Sequence, residues 1–303
     1  MKVVRTVAEL REELAPARRG GRRIGLVPTM GALHEGHLSL VRRAREDCDV
    51  VVVSLFVNPA QFNERADLDR YPRDEARDRA LAADAGADVL FAPSVEEVYP
   101  DGFATSVEVL GVTERLEGLA RGPEHFRGVT TIVTKLLCMA LPDVAYFGQK
   151  DAQQVVVIRR LVADLNLPVT IQAVPTVREG DGLAMSSRNA LLSADERRRA
   201  LALSAGLREA ERLTGAGETG ARALTGAVRA ELDRAGVEPE YVALVDPDTL
   251  EPLTGVEAQG LLAVAARVGG VRLIDNTLLS VPSHGPTAAP TNPRGKAIET
   301  CSA

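Results

Sequence analysis

The chain has 303 residues, more than most single hydrophobic cores hold and enough for two domains. Its 45% hydrophobic and 26% charged residues are ordinary for a globular protein, and the formal net charge of −6 argues against a general nucleic-acid-binding protein. The cysteines at positions 48, 138 and 301 have neither metal-ligand nor Cys-x-x-Cys spacing, so we expect Cys48 and Cys138 to be reduced, buried side chains.

The sequence gives no sign of a membrane partner. No apolar run reaches the length of a membrane span, and the N-terminal residues lack the apolar core of a signal peptide. We therefore expect a cytoplasmic protein.

The first predicted helix covers residues 3–14, with Thr6 as its N-cap and Glu9 completing a capping box. A short apolar run then ends at Val27 and is typical of a buried parallel strand. Apolar residues recur at helical spacing from position 38 onward, so a second helix begins close to His37, after a glycine-containing turn.

The turn before this helix carries two histidines, His34 and His37. A helix N-terminus directs unpaired amides and the positive end of its dipole outward, an arrangement that suits a phosphate, and imidazoles donate hydrogen bonds and can be charged near neutral pH. A single histidine is more often structural, but a pair at this position favours function. A His-Glu-x-x-His zinc helix would need histidine where Leu38 stands, and the Gly-Lys-Ser/Thr of a P-loop is missing.

The run from Asp49 to Val57 is rich in β-branched residues and predicts a central parallel strand that Pro59 ends. Asn58 and Gln61 then lie beyond a strand's carboxyl end, where open α/β sheets place ligands. Further strands are predicted over residues 87–92, 106–110, 143–147 and 168–174, with helices over 67–85, 129–140 and 152–165 and a polar loop over 119–128.

The alternation of strands and helices predicts an α/β fold, a Rossmann-like doubly wound parallel sheet over residues 1–178. Residues 179–279 predict a smaller α+β C-terminal domain, which would act as a lid. Residues 280–303 are rich in proline and predict a disordered tail. The polar loop at residues 178–189 joins the domains, and its glycines predict mobility without nucleotide. Within the smaller domain, helices are predicted over 194–213 and 220–235 and strands over 240–245, 261–268 and 271–273.

Four predicted strand ends are each followed by a polar cluster. Each cluster alone is weak support for a site, but together they predict a cationic, hydrogen-bonding rim above the sheet. The clusters are His34 with His37, Asn58 with Gln61, the set Gly148, Lys150, Asp151 and Gln154, and the set Met185, Ser186, Ser187 and Arg188.

The His-x-Gly-His and Met-Ser-Ser-Arg segments resemble the signature pair of the class I aminoacyl-tRNA synthetase and nucleotidyltransferase superfamily, with Ala184 where a lysine usually stands. Longer blocks spread over residues 24–190 are similar to the pantoate–β-alanine ligase family. These blocks include Pro-Thr-Met-Gly-Ala-Leu-His-Glu-Gly-His, Phe-Val-Asn-Pro-x-Gln-Phe, Tyr-Phe-Gly-Gln-Lys-Asp and Gly-Leu-Ala-Met-Ser-Ser-Arg-Asn.

The resemblance implies ATP-dependent condensation of pantoate with β-alanine through a pantoyl adenylate, with release of AMP and pyrophosphate. It also implies Mg²⁺ on the phosphates and a homodimer. The implied catalytic residues are His34, His37, Lys150, Ser186, Ser187 and Arg188. The implied ATP contacts are these six together with Pro28, Met30, Gly36, Gly148, Asp151, Val177 and Met185. The implied pantoate contacts are Met30, Asn58, Gln61, Arg121, Val129 and Gln154.

Two departures from the family pattern affect these assignments. Where the family carries adjacent acids, the chain has Arg77 and Asp78, so only Asp78 can serve near the metal. The segment from Arg121 to His125 is one residue longer than usual, which changes the reach of Arg121.

Two other functions remain open at this stage. A nucleotidyltransferase would move AMP or CMP onto a phosphate substrate, but the neutral amides of Asn58, Gln61 and Gln154 suit hydroxyls better. A nucleotide-binding module without activity would be expected to have lost His34, His37 or Lys150, and all three are present. The length excludes a full tRNA synthetase.

Overall fold

The structure, a computed structural model, describes residues 1–62 and 65–281. The strands are β1 Lys2–Val4, β2 Ile24–Thr29, β3 Val50–Leu55, β4 Val89–Phe91, β5 Val144–Gly148, β6 Thr170–Val174, β7 Pro239–Val245, β8 Gln259–Val268 and β9 Val271–Ser280. The helices are α1 Val7–Arg19, α2 Glu35–Asp47, α3 Arg65–Arg70, α4 Glu75–Asp84, α5 Val95–Val98, α6 Glu117–Arg121, α7 Pro123–Ala140, α8 Ala152–Asp164, α9 Ala194–Gly215 and α10 Ala221–Arg234.

The larger sheet has the strand order β1-β4-β3-β2-β5-β6, and every pairing in it is parallel. In chain order, β3 and β4 are added on one side of β2, and β5 and β6 are then added on its other side. The strand order therefore reverses between β2 and β5, and open α/β sheets bind ligands at the carboxyl ends of the strands at such a point. The predicted doubly wound parallel sheet is confirmed.

Alternate residues of β3 belong to two different cores. Val50 and Val52 face the side covered by α1, α7 and α8. Val51 and Val53 face the side covered by α2 and α4. Successive side chains of a strand point to opposite faces of the sheet. Because helices bury both faces of this parallel sheet, the strand is apolar throughout.

The smaller sheet is antiparallel in the order β7-β8-β9, and α9 and α10 cover one of its faces. The two helices meet closely at Gly206, where an added Cβ would lie 2.8 Å from the Cα of Val228. This is the predicted α+β domain, although β9 extends well beyond the predicted 271–273. The boundaries at 178 and 279 stay predictions, and residues 282–303 of the predicted tail lie outside the described residues.

Several predicted elements differ from the structure. The first helix starts at Val7 because Thr6 caps it with the predicted capping box, and the residues before the cap form β1 instead. The helix predicted over 67–85 is two helices, α3 and α4, separated at Pro72, since proline removes a helical donor.

Residues 106–110 form no strand. The backbone of Val107 bonds instead to side chains of α7, donating to Thr131 Oγ1 at 3.0 Å and accepting from Thr130 Oγ1 at 2.5 Å. The predicted polar loop at 119–128 is helical, because Gly122, at φ 79°, lets α6 end and Pro123 starts α7 at its first position. Cys48 is buried as expected, but Cys138 is exposed.

Among the described residues, no helix is both long and apolar enough to cross a membrane.

Candidate active site

A cavity of about 210 Å³ opens where the strand order reverses, between the carboxyl ends of β2 and β5. Most of the residues predicted from the sequence line it together. They are Pro28, Met30, His34, Gly36, His37, Asn58, Gln61, Val129, Gly148, Lys150, Asp151, Gln154, Val177 and Met185.

A narrow crevice adjoins this cavity, and Lys150 lines both. Arg121, Ser186, Arg188 and Arg272 also line the crevice. The resemblance assigns Arg121 to pantoate, but the structure places its side chain beside Ser186 and Arg188 and not in the larger cavity. Ser187 is exposed and lines neither space.

The two histidines are in contact at the start of α2. Their ring centroids are 4.1 Å apart, and the backbone N–H of His34 donates to Nδ1 of His37 at 3.4 Å. Because Nδ1 of His37 accepts this bond, the neutral ring carries its proton on Nε2, where it can be donated to a ligand. Among the described residues, the buried Nδ1 of His34 has no hydrogen-bond partner.

Both imidazoles favour the neutral form in this structure. Burial, followed by the neighbouring His34 ring, lowers the pKa of His37 to about 3. Burial and then the charge of Lys150 lower the pKa of His34. An anion bound between these groups would oppose both effects and raise the two pKa values.

Asn58 orients Gln61. The amide of Asn58 is fully engaged, because Nδ2 donates to Gln61 Oε1 and to the carbonyl of Gly128, both at 3.1 Å, and Oδ1 accepts from Tyr99 at 2.8 Å. Gln61 therefore turns its Nε2 toward Met30, whose Sδ lies 2.8 Å away. The cavity receives a donor from Gln61, and the side chain of Asn58 serves mainly to hold it.

Helix α7 packs against the turn that carries Gln61. An added Cβ at Gly128 would lie 2.2 Å from the carbonyl oxygen of Ala60, so only glycine permits this approach. Nδ1 of His125 lies 2.9 Å from the carbonyl oxygen of Gln61. Burial and then the charge of Arg121 lower the pKa of His125 to about 4, so the neutral ring is the stable form.

The loop with Met185 and Ser186 crosses from the smaller domain to α2. Sδ of Met185 accepts the N–H of Gly36 at 3.2 Å, and Ser186 Oγ accepts the N–H of Arg188 at 3.3 Å. Arg197 of α9 pairs with Glu179 and Asp181 at the root of the loop. The loop is therefore attached to the smaller domain at its base, and its mobility without nucleotide stays a prediction.

Asp78 does not line the cavity. Its carboxylate is 1% exposed and accepts the backbone N–H groups of Ala32 at 2.8 Å and Leu33 at 2.7 Å. Ala32 has a φ of 52°, a left-handed conformation that costs a non-glycine residue free energy. This geometry favours a role for Asp78 in holding the turn before His34.

Sequence reasoning missed several residues of the site. Tyr71 and Thr176 line the cavity, and among the described residues nothing pairs with the buried hydroxyl of Thr176. Phe56, Ile132, Val133 and Leu136 give the cavity an apolar wall. Tyr71 stands in a Tyr-Pro-Arg segment at residues 71–73 that marks it as a candidate, whereas the apolar residues have the pattern of an ordinary core.

The parallel sheet, the cavity at its switch point and the histidine pair at a helix start define an α/β enzyme of the nucleotide-binding class. The sequence model of the pantoate-beta-alanine ligase family matches residues 2–278. The chain therefore belongs to the pantoate–β-alanine ligase family.

Relatives and solved structures agree with this assignment. The chain is 54% identical to pantothenate synthetase of Moorella thermoacetica, over 93% of this chain and 99% of that protein. It is 55% identical to pantothenate synthetase of Cereibacter sphaeroides, over 90% and 98%. The crystal structure of pantothenate synthetase from Thermus thermophilus has a TM-score of 0.86 and 48% identity, covering 91% of this chain and 99% of that one.

A pantoate–β-alanine ligase from Francisella tularensis, crystallised with β-γ ATP and β-alanine, has a TM-score of 0.74 and 34% identity, over 92% of this chain and 97% of that one. The chain is an enzyme that joins pantoate to β-alanine at the expense of ATP.

Proposed function

We propose that the reaction runs through two half-reactions in the cavity between β2 and β5. In the first, the carboxylate of pantoate attacks the α-phosphorus of ATP, a new P–O bond forms, and pyrophosphate leaves. In the second, the amine of β-alanine attacks the acyl carbon, the acyl–oxygen bond breaks, and AMP leaves with that oxygen. The observation that carries this proposal is that one cavity is lined both by phosphate-binding donors and by an apolar wall.

The donors serve the triphosphate. His34, His37 and Lys150 line the cavity near the N-terminus of α2, whose dipole favours an anion. The transition state and the leaving pyrophosphate accumulate negative charge, so fixed donors at these positions stabilise them more than the ground state. Ser186 and Arg188 would act from the adjoining crevice, and Arg121, which lies there, would serve the phosphates with them. Ser187 is exposed and would join them only once the loop closes over ATP.

The apolar wall and the amides serve pantoate. Met30, Val129, Ile132 and Leu136 offer a surface for the branched carbon skeleton. Nε2 of Gln61 can donate to the carboxylate or a hydroxyl, and Gln154 lines the same cavity.

The nucleoside end of ATP would lie along β5 and the start of the loop after β6. At Gly148, none of the described residues other than its chain neighbours places an atom within 4 Å of an added Cβ, so these residues do not require glycine there. Close approach of the ribose to the backbone would require it, with Asp151 facing the ribose hydroxyls. Pro28, Gly36, Val177 and Met185 would enclose the adenosine and its phosphates.

The protein offers few ligands for a metal ion. Among the described residues, no three His, Cys, Asp or Glu side chains are grouped to hold one, and Asp151 is the acid that lines the cavity. This donor set fits a Mg²⁺ ion that arrives on ATP and keeps phosphate oxygens and water as ligands. The ion would neutralise part of the phosphate charge.

We also propose a homodimer in the cytoplasm, where ATP is available and thiols such as Cys48 stay reduced. Leu110 and Leu119 are 71% and 80% exposed, and a second copy of the chain would cover such apolar side chains. Sedimentation equilibrium would show a monomer if the proposed homodimer does not form.

Heavy-oxygen labelling tests the order of bonds. With pantoate labelled in its carboxylate, one labelled oxygen should appear in AMP, because the bridging oxygen stays on phosphorus when the amine attacks. Mass spectrometry of the AMP measures this transfer. Unlabelled AMP, or ADP as the product, would contradict an adenylate intermediate.

A further inference from the structure

Strand β9 carries polar residues that its own sheet does not need. It is an edge strand of the smaller sheet, and Asp275 and Asn276 are 3% and 5% exposed. Buried polar groups are costly unless they are hydrogen-bonded. The partners of Asp275 and Asn276 lie in segments that line the catalytic cavity or crevice, and so does Glu117, one of the carboxylates that Arg272 binds. Arg272 also donates to Glu240 of β7 at 2.7 Å.

Asn276 holds the turn that carries Lys150. Its Nδ2 donates to the carbonyl oxygens of Gln149 at 3.0 Å and Lys150 at 2.9 Å, and its Oδ1 accepts from the side chain of Gln149 at 3.3 Å. The backbone of Lys150 is therefore fixed by a residue of the other domain, 126 positions away in the sequence.

Asp275 holds the root of the loop that carries Ser186 and Arg188. It accepts two bonds from the guanidinium of Arg178, at 2.6 and 3.1 Å, and Arg178 also donates to the carbonyl oxygen of Gly182 at 3.2 Å. Paired bonds of this kind fix orientation as well as distance.

Arg272 holds helix α6 through Glu117. It donates to both carboxylate oxygens of Glu117, at 2.6 and 2.8 Å, and Glu117 also accepts from Arg121 at 3.0 Å and Tyr241 at 2.9 Å. Burial alone would raise the pKa of Glu117, but the bonds and charge of Arg272 hold it at about 2. Glu117 is thus a stable anion that fixes Arg121 beside the crevice.

The three contacts converge on one crevice, where Arg121, Lys150 and Arg188 meet. Desolvation and next the charge of Arg121 lower the pKa of Arg188, as expected where cations are crowded. Like charges that line one crevice repel one another, so a rigid support keeps them in place for a polyanion.

We propose that Arg272, Asp275 and Asn276 of β9 are positioning residues, which together set the cationic groups that act on the triphosphate. This inference rests on the proposed roles of Lys150, Ser186 and Arg188. It gives β9 the task of holding three separate segments in one arrangement.

A double-mutant cycle tests the link between Asn276 and Lys150. The rate of pantoate-dependent exchange of pyrophosphate into ATP is measured at saturating substrates, per folded molecule. Asn276→Ala should lower this rate by about tenfold or more in the parent enzyme, as misplacement of a catalytic group does. In a Lys150→Ala background it should lower the rate by less than about twofold, because the group that it positions is already gone.

Thr277→Val is the matched control, since Thr277 is the next residue on β9 and its hydroxyl bonds to Glu211 within the same domain. It should leave exchange and both KM values unchanged. Equal losses from Asn276→Ala in the two backgrounds, or an equal loss from Thr277→Val, would overturn the proposal. Exchange by the parent and by Thr277→Val shows that the proposed function holds whatever Asn276→Ala does.

Asp275→Asn keeps the proposal testable if Asn276→Ala does not fold. It preserves side-chain volume and removes the charge that Arg178 binds. It should raise the KM for ATP by about fivefold or more and leave the KM for pantoate within about twofold, because a charge-assisted pair that orients phosphate ligands is lost. Parent values of both constants in the folded variant would overturn the assignment of Asp275.

Discussion

The carboxylate of Asp78 accepts the backbone N–H of Leu33 at 2.7 Å, across from α4 to the turn that leads into α2. The same carboxylate accepts the N–H of Ala32, whose φ is 52°. One buried acid thus stabilises a left-handed turn immediately before His34. The position of both imidazoles depends on this turn.

Asp78→Asn should therefore act on stability and on the histidines. An amide nitrogen cannot accept an N–H bond, so the variant should lose about 1–3 kcal/mol of unfolding free energy, as for a buried group left unpaired. Its turnover should fall, with the Mg²⁺ concentration for half-maximal activity unchanged. Denaturant unfolding and a Mg²⁺ titration measure the two effects.

Asp74→Asn is the control for that experiment, because Asp74 caps the same helix and asparagine caps equally well. If the Asp78→Asn variant has normal stability but its Mg²⁺ requirement rises about tenfold, Asp78 acts near the metal and not in holding the turn.

Lys150→Ala should lower turnover by about 10²–10³, the usual cost of removing one preorganised donor to developing charge. Its thermal stability should stay near that of the parent, since Lys150 lines the cavity and its contact with the carboxylate of Asp151 is 3.6 Å long. Lys2→Ala, at an exposed position, is the control. A loss of turnover below about tenfold would contradict a role for Lys150 in stabilising the transition state.

The buried histidines predict a pH dependence of stability. The pKa of His37 is about 3 in the folded protein against 6.5 for an unperturbed histidine, so between these values the unfolded chain binds a proton that the folded chain does not. Stability then falls as the pH falls, by up to about 2 kcal/mol for His37 alone between about pH 7 and pH 5. Denaturant unfolding across this range measures the slope.

His37→Gln should reduce that slope, because glutamine does not titrate, and His34 and His125 should account for the slope that remains. A slope equal to the parent's would mean that His37 keeps an ordinary pKa. ATP should also reduce the slope of the parent, since phosphate charge favours the protonated imidazoles in the folded state.

A site residue could be predicted from the sequence when its role depends on nearby residues in the chain, and not when its contact partner is far away in the sequence. His34, His37, Asn58, Gln61 and Lys150 follow predicted strands directly, and parallel strands bring their carboxyl ends to one edge, so local patterns were enough. The missed positioning residues act across domains: Asn276 and Lys150 are 126 residues apart, and Arg272 and Glu117 are 155 apart. No local pattern reports such pairs.

The predicted fold is confirmed, but two local element predictions failed for the same reason. Residues 106–110 have the composition of a strand, but α7 supplies the partners of Val107 and no neighbouring strand does. The segment from Arg121 to His125 has the composition of a loop, but Pro123 begins a helix that packs against the turn at Gln61. In both segments, contacts with residues distant in the sequence determined the secondary structure.

Isotope exchange tests the proposed activation of pantoate by adenylation in this cavity. An acyl adenylate held on the enzyme makes the first half-reaction reversible without β-alanine, so labelled pyrophosphate should enter ATP when pantoate and Mg²⁺ are present. Exchange should stop without pantoate, and His34→Ala and His37→Ala should each suppress it. A folded enzyme that binds ATP yet shows no pantoate-dependent exchange would contradict an adenylate intermediate.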